Sequence, residues 1–170
     1  IAAKGCLDFT RKQIDDLTNY VGRYGAKGLV WMRVKENNEV ETQVGKFFTT
    51  EQLNALRDAV HAENGDMMFF IAGPEKIAAT AMGQLRLEIA RIKGLLDPNR
   101  REFVWITEFP MFEYSETEGR YMAMHHPFTS PMPEHLDMML SGNLKDCKAQ
   151  AYDLVLNGVE IGGGSIRIHN

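Results

Sequence analysis

Cysteine is scarce: two in 170 residues, Cys6 and Cys147, far apart and in no ligand-like spacing. That excludes a disulfide framework or a zinc-ribbon module and leaves reduced packing residues of a cytosolic protein. An excess of basic charge is also missing. Nineteen Lys and Arg stand against 23 Asp and Glu, a net charge of -4. A general nucleic-acid binder would carry the opposite balance, so DNA is not an expected partner. No apolar run approaches the roughly 20 residues of a membrane span, and Ile1-Ala2-Ala3-Lys4-Gly5 is no signal peptide, so no membrane partner and a cytoplasmic location are expected. Ile1 stands where Met would begin a chain, and Asn170 closes it without a terminal signal, so a piece of a longer chain is expected.

What is present is an average globular composition, 44% hydrophobic and 25% charged, enough for one ordinary domain or two small ones. Thr10 and Gln13 make a capping box ahead of Ile14, Leu17, Val21 and Tyr24, which share one helical stripe ending at Gly25. Gly28–Val34 reads as a buried strand, and 41–48 as a weaker one. Thr49 and Gln52 repeat the capping box before Leu53, Leu56 and Val60. Residues 67–72, Met-Met-Phe-Phe-Ile-Ala, form a strand with no polar face. Pro74 opens a longer helix with Ile77, Ala81, Leu85, Ile89 and Ile92 on one stripe, closed by Gly94. Asp97-Pro98-Asn99-Arg100-Arg101 is a polar, proline-bearing break and the expected boundary between domains at 1–97 and 98–170.

Beyond the break, residues 103–110 read as a strand, 114–119 as an acidic turn and 121–126 as a returning strand. Pro127, Pro131 and Pro133 stiffen the loop that follows. Residues 144–157 are expected to be a helix, packing through Cys147, Ala151, Leu154 and Val155 and ended by Gly158. The overall class is α+β.

The closing stretch, 159–170, is the most informative. Glu160, the run Gly162-Gly163-Gly164, then Ser165, Arg167 and His169 alternating with isoleucines, brings a carboxylate, bare backbone and a guanidinium together. Strict alternation would place Glu160 and Arg167 on opposite faces of a strand, so a shared pocket demands a bulge or break in the glycine run 162–164. A glycine-kinked core strand with two surface charges is the plainer alternative. His125-His126 cannot chelate one ion from adjacent strand positions, and the glycines lack the Lys-Ser/Thr ending of a phosphate loop. Glu108, at a strand end, is the remaining acidic candidate beside turn residues Glu113 and Glu116.

Four blocks in this half resemble bacterial-type aspartyl-tRNA synthetases of class II: Phe109–Glu113, Met124–Pro131, Ala151–Gly158, and Glu160 with Gly162–Asn170. The first half is similar to the insertion (GAD) domain of those enzymes, through Arg11–Ile14, Tyr24–Leu29, Gly65-Asp66 and Leu85-Arg86. The resemblance implies a two-layer, DCoH-like insertion domain followed by an incomplete antiparallel synthetase sheet. It implies L-aspartate contacts at His125 and Arg167, with His126 and Ser165 as secondary members. Glu160 is the implied ATP contact, usually through Mg²⁺, and Gly162, Gly163 and Gly164 form the pocket backbone. Its implied partners are L-aspartate, ATP and tRNA, in a parent that forms a homodimer. The family's three class II motifs and its OB-fold have no counterpart here, so no cofactor is expected bound and no activity is expected from this chain alone. A non-catalytic module for tRNA or interdomain contact, as in the B subunit of the tRNA-dependent amidotransferase, is the other reading.

Overall fold

The computed structural model describes residues 1–169, which form two compact units, Ile1–Asp97 and the residues from Pro98 onward. In the first unit β1 (Ala2–Ala3), β2 (Val30–Val34), β3 (Val40–Thr42) and β4 (Met67–Phe70) make an antiparallel sheet of order β1-β4-β2-β3. Three helices accompany it: α1 (Arg11–Gly22), α2 (Thr50–Ala59) and α3 (Glu75–Ile92). Both capping boxes are formed, at Thr10 and Thr49, each satisfying orphan N–H groups of a first turn.

Why 67–70 has no polar face is now plain: the sheet is covered on both sides. Trp31, Met67 and Phe69 pack with Ile14, Leu17 and Val21 of α1 and Ala81, Leu85 and Ile89 of α3. Met32, Val34 and Met68 point the other way, against Leu53 and Leu56 of α2. Alternate residues of one strand therefore serve two cores. At the sheet's edge the buried Asp66 carboxylate accepts from the N–H groups of Gly5 (2.9 Å) and Glu63 (2.8 Å) and pairs with Lys4 at 2.9 Å. Burial alone pushes this carboxyl up; the two N–H groups and the ammonium overcome it and hold it below the usual range.

The second unit is built differently. β5 (Phe103–Thr107), β8 (Ala151–Leu156) and β9 (Val159–Ser165) form an antiparallel sheet of order β5-β8-β9, beside the hairpin β6 (Phe112–Ser115) and β7 (Arg120–Ala123) and the short α4 (Leu136–Leu140). Its core is small: Met111, Cys147, Ala149 and Ala151, with Met138 and Met139 against them. The apolar side chains of β5 are exposed, Phe103 by 60% and Trp105 by 59%.

The helix expected over 144–157 does not form. The stretch ends instead as β8, and Gly158 belongs to a hairpin turn. Cys147, Ala149 and Ala151 are buried while Lys148 is exposed and Gln150 only partly covered, which is the period of a strand. The turn itself is Asn157-Gly158, with φ of 49° and 85°, the left-handed pair that a two-residue antiparallel connection favours. The returning strand expected over 121–126 stops at Ala123.

Candidate functional site

The β8–β9 hairpin sets the geometry. Asn157 ties its turn to the preceding chain: its side chain donates to the Arg100 carbonyl and accepts from the Glu102 N–H, both at 2.8 Å. From the turn, Val159 pairs with Leu156 and Glu160 with Val155, but Gly162 pairs with Leu154. Ile161 is left over as a β-bulge. Beyond it Gly163 opposes Asp153 and Ser165 opposes Ala151. Cross-strand partners share a face, so Glu160, Gly163 and Ser165 stand on the side of Asp153. The phase reset is thus supplied by Ile161, just before the glycine run that was expected to carry it; the three glycines pair regularly.

The strand continues past Ser165 by threading between two loops. Ile166 N–H donates to the Gln150 carbonyl at 2.9 Å, Ser130 N–H to Ile166 at 2.8 Å, and Ile168 N–H to Phe128 at 2.7 Å. This ladder brings Arg167 opposite Thr129, whose buried hydroxyl lies 3.2 Å from the Ser165 hydroxyl and accepts from Arg167 Nη1 at 3.4 Å. The result is a cavity of about 220 Å³ lined by Phe109, His125, His126, Ala151, Asp153, Gly164, Ser165 and Arg167.

Both histidines line it, because β7 ends before them and the alternation rule no longer applies. Their tautomers follow from their partners. His125 Nε2 lies 3.1 Å from the Pro110 carbonyl, which only accepts, so Nε2 carries the proton and Nδ1 is free to accept. His126 Nδ1 accepts from the Phe128 N–H at 3.1 Å, which leaves its proton on Nε2 as a donor. Among the described residues Arg167 forms no ion pair, and neither does Asp153. A guanidinium and a carboxylate in one small cavity are complementary to a small zwitterion.

Glu160 does not line the cavity; across Gly163 it neighbours Asp153, which does. A Cβ added at Gly163 would collide with Asp153 Oδ1 and lie 3.0 Å from Glu160 Oε1, so two carboxylates close over this glycine. Gly164 is similarly covered by the Tyr152 ring, whereas Gly162 faces open space. Among the described residues no group of three or more His, Cys, Asp or Glu side chains is placed to hold a metal ion by itself. Asp153 is the residue the sequence reading passed over, since an assumed helix at 144–157 gave its side chain no defined direction. The signal was present: Asn-Gly between two alternating runs marks a hairpin.

Comparison with known proteins covers both units. Residues 1–82 match the GAD domain. The chain is 50% identical over 167 residues to the aspartate–tRNA(Asp/Asn) ligase of Desulfatibacillum aliphaticivorans, covering 98% of the chain. It is 48% identical over 169 residues to the aspartate–tRNA ligase of Ruminiclostridium cellulolyticum and 50% identical over 169 to the aspartate–tRNA(Asp/Asn) ligase of Heliobacterium modesticaldum, each covering 99% of the chain. Over nearly its whole length the chain is similar to aspartate–tRNA ligases. It spans 28% of the length of these relatives. The matched stretch runs through both units of the structure, so the ligase resemblance includes the β8–β9 hairpin as well as the GAD domain. Among the described residues no helix is long and apolar enough to cross a membrane.

Proposed function

We propose that the chain is a segment of an aspartate–tRNA ligase, comprising the insertion domain at 1–97 and, at 98–170, part of the class II catalytic sheet. On this reading α1 and α3 over one face of the first sheet are the two layers of a DCoH-like insertion domain, and α2 on the opposite face is a third layer beyond it. The observation that carries the reading is the bulge at Ile161, which turns Glu160 toward the side of Asp153, Ser165 and the cavity. Arg167 receives the side-chain carboxylate of L-aspartate through its planar fork of donors, with His126 Nε2–H and Ser165 beside it. His125 and Asp153 supply the acceptors that an α-ammonium requires. Glu160, with Asp153 across Gly163, forms the hard-oxygen edge that suits Mg²⁺ carried by ATP. That ion would neutralise phosphate charge. Gly162, Gly163 and Gly164 let backbone lie against the ligand.

In the whole protein an aspartate α-carboxylate oxygen attacks the α-phosphorus of ATP, pyrophosphate leaves, and a terminal ribose hydroxyl of tRNA then takes the aspartyl group with release of AMP. These residues bind and orient; none acts as a covalent nucleophile, so their contribution is positioning and charge stabilisation. The parent works in the cytoplasm as a homodimer. The 170-residue chain alone forms no adenylate, and ATP–pyrophosphate exchange measured from it would overturn that statement. In the whole protein Arg167→Leu lowers kcat/KM for aspartate by about 2–5 kcal/mol of transition-state stabilisation, the cost of leaving the substrate carboxylate without its charged partner. Near-normal kinetics would reject the assignment. A role of the first unit in contacting tRNA or another domain is compatible with this reading; a groove of about 570 Å³ between α1 and α3, edged by Asp16, Tyr20, Arg23, Glu88 and Arg91, offers a place for such a contact.

A further inference from the structure

Glu108 occupies the left-handed region, φ 59°, which residues with a side chain seldom adopt. It is where the chain leaves β5. Its carboxylate is ion-paired with the Lys148 ammonium, and that partner holds its carboxyl below the usual range. Immediately after Glu108 the backbone changes partners: the Phe109 carbonyl accepts from Ala149 N–H, and Met111 N–H donates to Cys147, both at 2.8 Å. Lys148 lies between those two bonds, opposite Pro110.

The two residues that follow Glu108 both end on His125. The Phe109 ring meets the imidazole edge-on at 5.6 Å between centroids, and the Pro110 carbonyl accepts from Nε2. Among the described residues His125 has no other hydrogen-bond partner. The position and tautomer of this imidazole are therefore set by Phe109 and Pro110. Their own position depends on how the chain is held at its left-handed turn.

We propose that the Glu108–Lys148 ion pair is a latch that fixes the 108–110 turn and so presents His125 to the cavity with its proton on Nε2. Glu108 and Lys148 are positioning residues and touch no ligand; what they position matters for catalysis only on the reading that His125 contacts the amino acid. Both side chains are about half exposed, 55% and 45%, so the pair is screened and adds little to global stability. Its effect is local and sensitive to salt.

The test is a long-range proton–nitrogen NMR correlation on the ¹⁵N-histidine-labelled 170-residue chain, which reads the proton on each ring nitrogen. In the unaltered chain His125 is the Nε2–H form. Glu108→Gln and Lys148→Met each raise the other tautomer, by up to about fivefold, the range open to an exposed pair. Glu108→Gly, which relaxes the backbone but removes the carboxylate, behaves like Glu108→Gln. The reversed pair Glu108→Lys/Lys148→Glu restores the original signal. An unchanged tautomer in both single variants, or no restoration in the reversed pair, overturns the latch. Should a variant unfold the second unit, salt at about 1 M on the unaltered chain decides, because it weakens the pair without disturbing packing; a His125 signal indifferent to that salt overturns the latch. The kcat/KM for L-aspartate of the whole ligase carrying His125→Ala separates the two ideas: a latch effect with an unchanged kcat/KM rejects the functional reading alone, and a lowered kcat/KM with no latch effect rejects the latch alone.

Discussion

Gly163 and Gly162 are neighbours with opposite tolerances. A methyl group at Gly163 meets Asp153 Oδ1, Glu160 Oε1 and the Tyr152 carbonyl, while one at Gly162 meets nothing within 4 Å. Gly163→Ala is expected to cost about 1–3 kcal/mol and to displace both carboxylates, as overpacking does. Gly162→Ala should stay within about 0.5 kcal/mol of the parent. Urea midpoints of the two variants check this. Asp66 gives the pH-dependent counterpart. Its carboxyl is depressed in the folded state, so its contribution is full above the ordinary carboxylate value of about 3.9 and is lost as pH falls below it. Asp66→Ala should cost about 1–3 kcal/mol near pH 6 by stranding the N–H groups of Gly5 and Glu63, and the penalty should shrink toward pH 3. A penalty independent of pH would remove the charge from the explanation. At this scale Arg167, Glu160 and the glycines stood out in the sequence because they are odd residues for a strand. Asp153 did not, because an acidic residue among aliphatic ones is ordinary until its direction is known.

At the scale of elements, the sequence was most legible where local chemistry dictates a boundary. Thr10–Gln13 and Thr49–Gln52 specify helix starts through bonds that span three residues, and both starts are found there. The failure at 144–157 has a definite cause. Ala, Leu and Lys suit helices, and Cys147, Ala151, Leu154 and Val155 fall at helical spacing, so propensity and one periodicity agreed on the wrong element. Pairing of β8 with both β5 and β9 overrides them. The Asn157-Gly158 turn is what makes the hairpin possible, and Gly158→Val should therefore destabilise the second unit by about 1–2 kcal/mol. Amide exchange should rise across 151–165 and leave 67–70 unaffected; uniform exchange would contradict it.

At the scale of the whole molecule, the two units differ in how much apolar surface they cover. The first buries both faces of its sheet; the second leaves β5 bare. The two tryptophans report this directly, Trp31 being 8% exposed and Trp105 59%. Acrylamide should quench fluorescence in two components, with Trp31→Phe removing the protected one and Trp105→Phe the accessible one. A single quenching constant in the parent chain would refute the contrast. The sequence showed apolar strands at both places but not which would be covered, since coverage depends on elements distant in the chain. It likewise called for a break in phase if Glu160 and Arg167 share a pocket, but placed it in the glycine run, whereas the unpaired residue is Ile161, just before that run.

That break has a consequence for how the chain can change in length. Because Ile161 opposes no residue of β8, the pairing of every other residue in the hairpin is the same with it as without it. Losing one residue there would leave Glu160 on the side of Asp153 and Ser165, only straightening the strand. Gaining one at a regular position of the hairpin would invert that relation. The sheet counts pairs, not residues, and at Ile161 a single-codon deletion is silent where an insertion elsewhere in the strand is a reversal of sides.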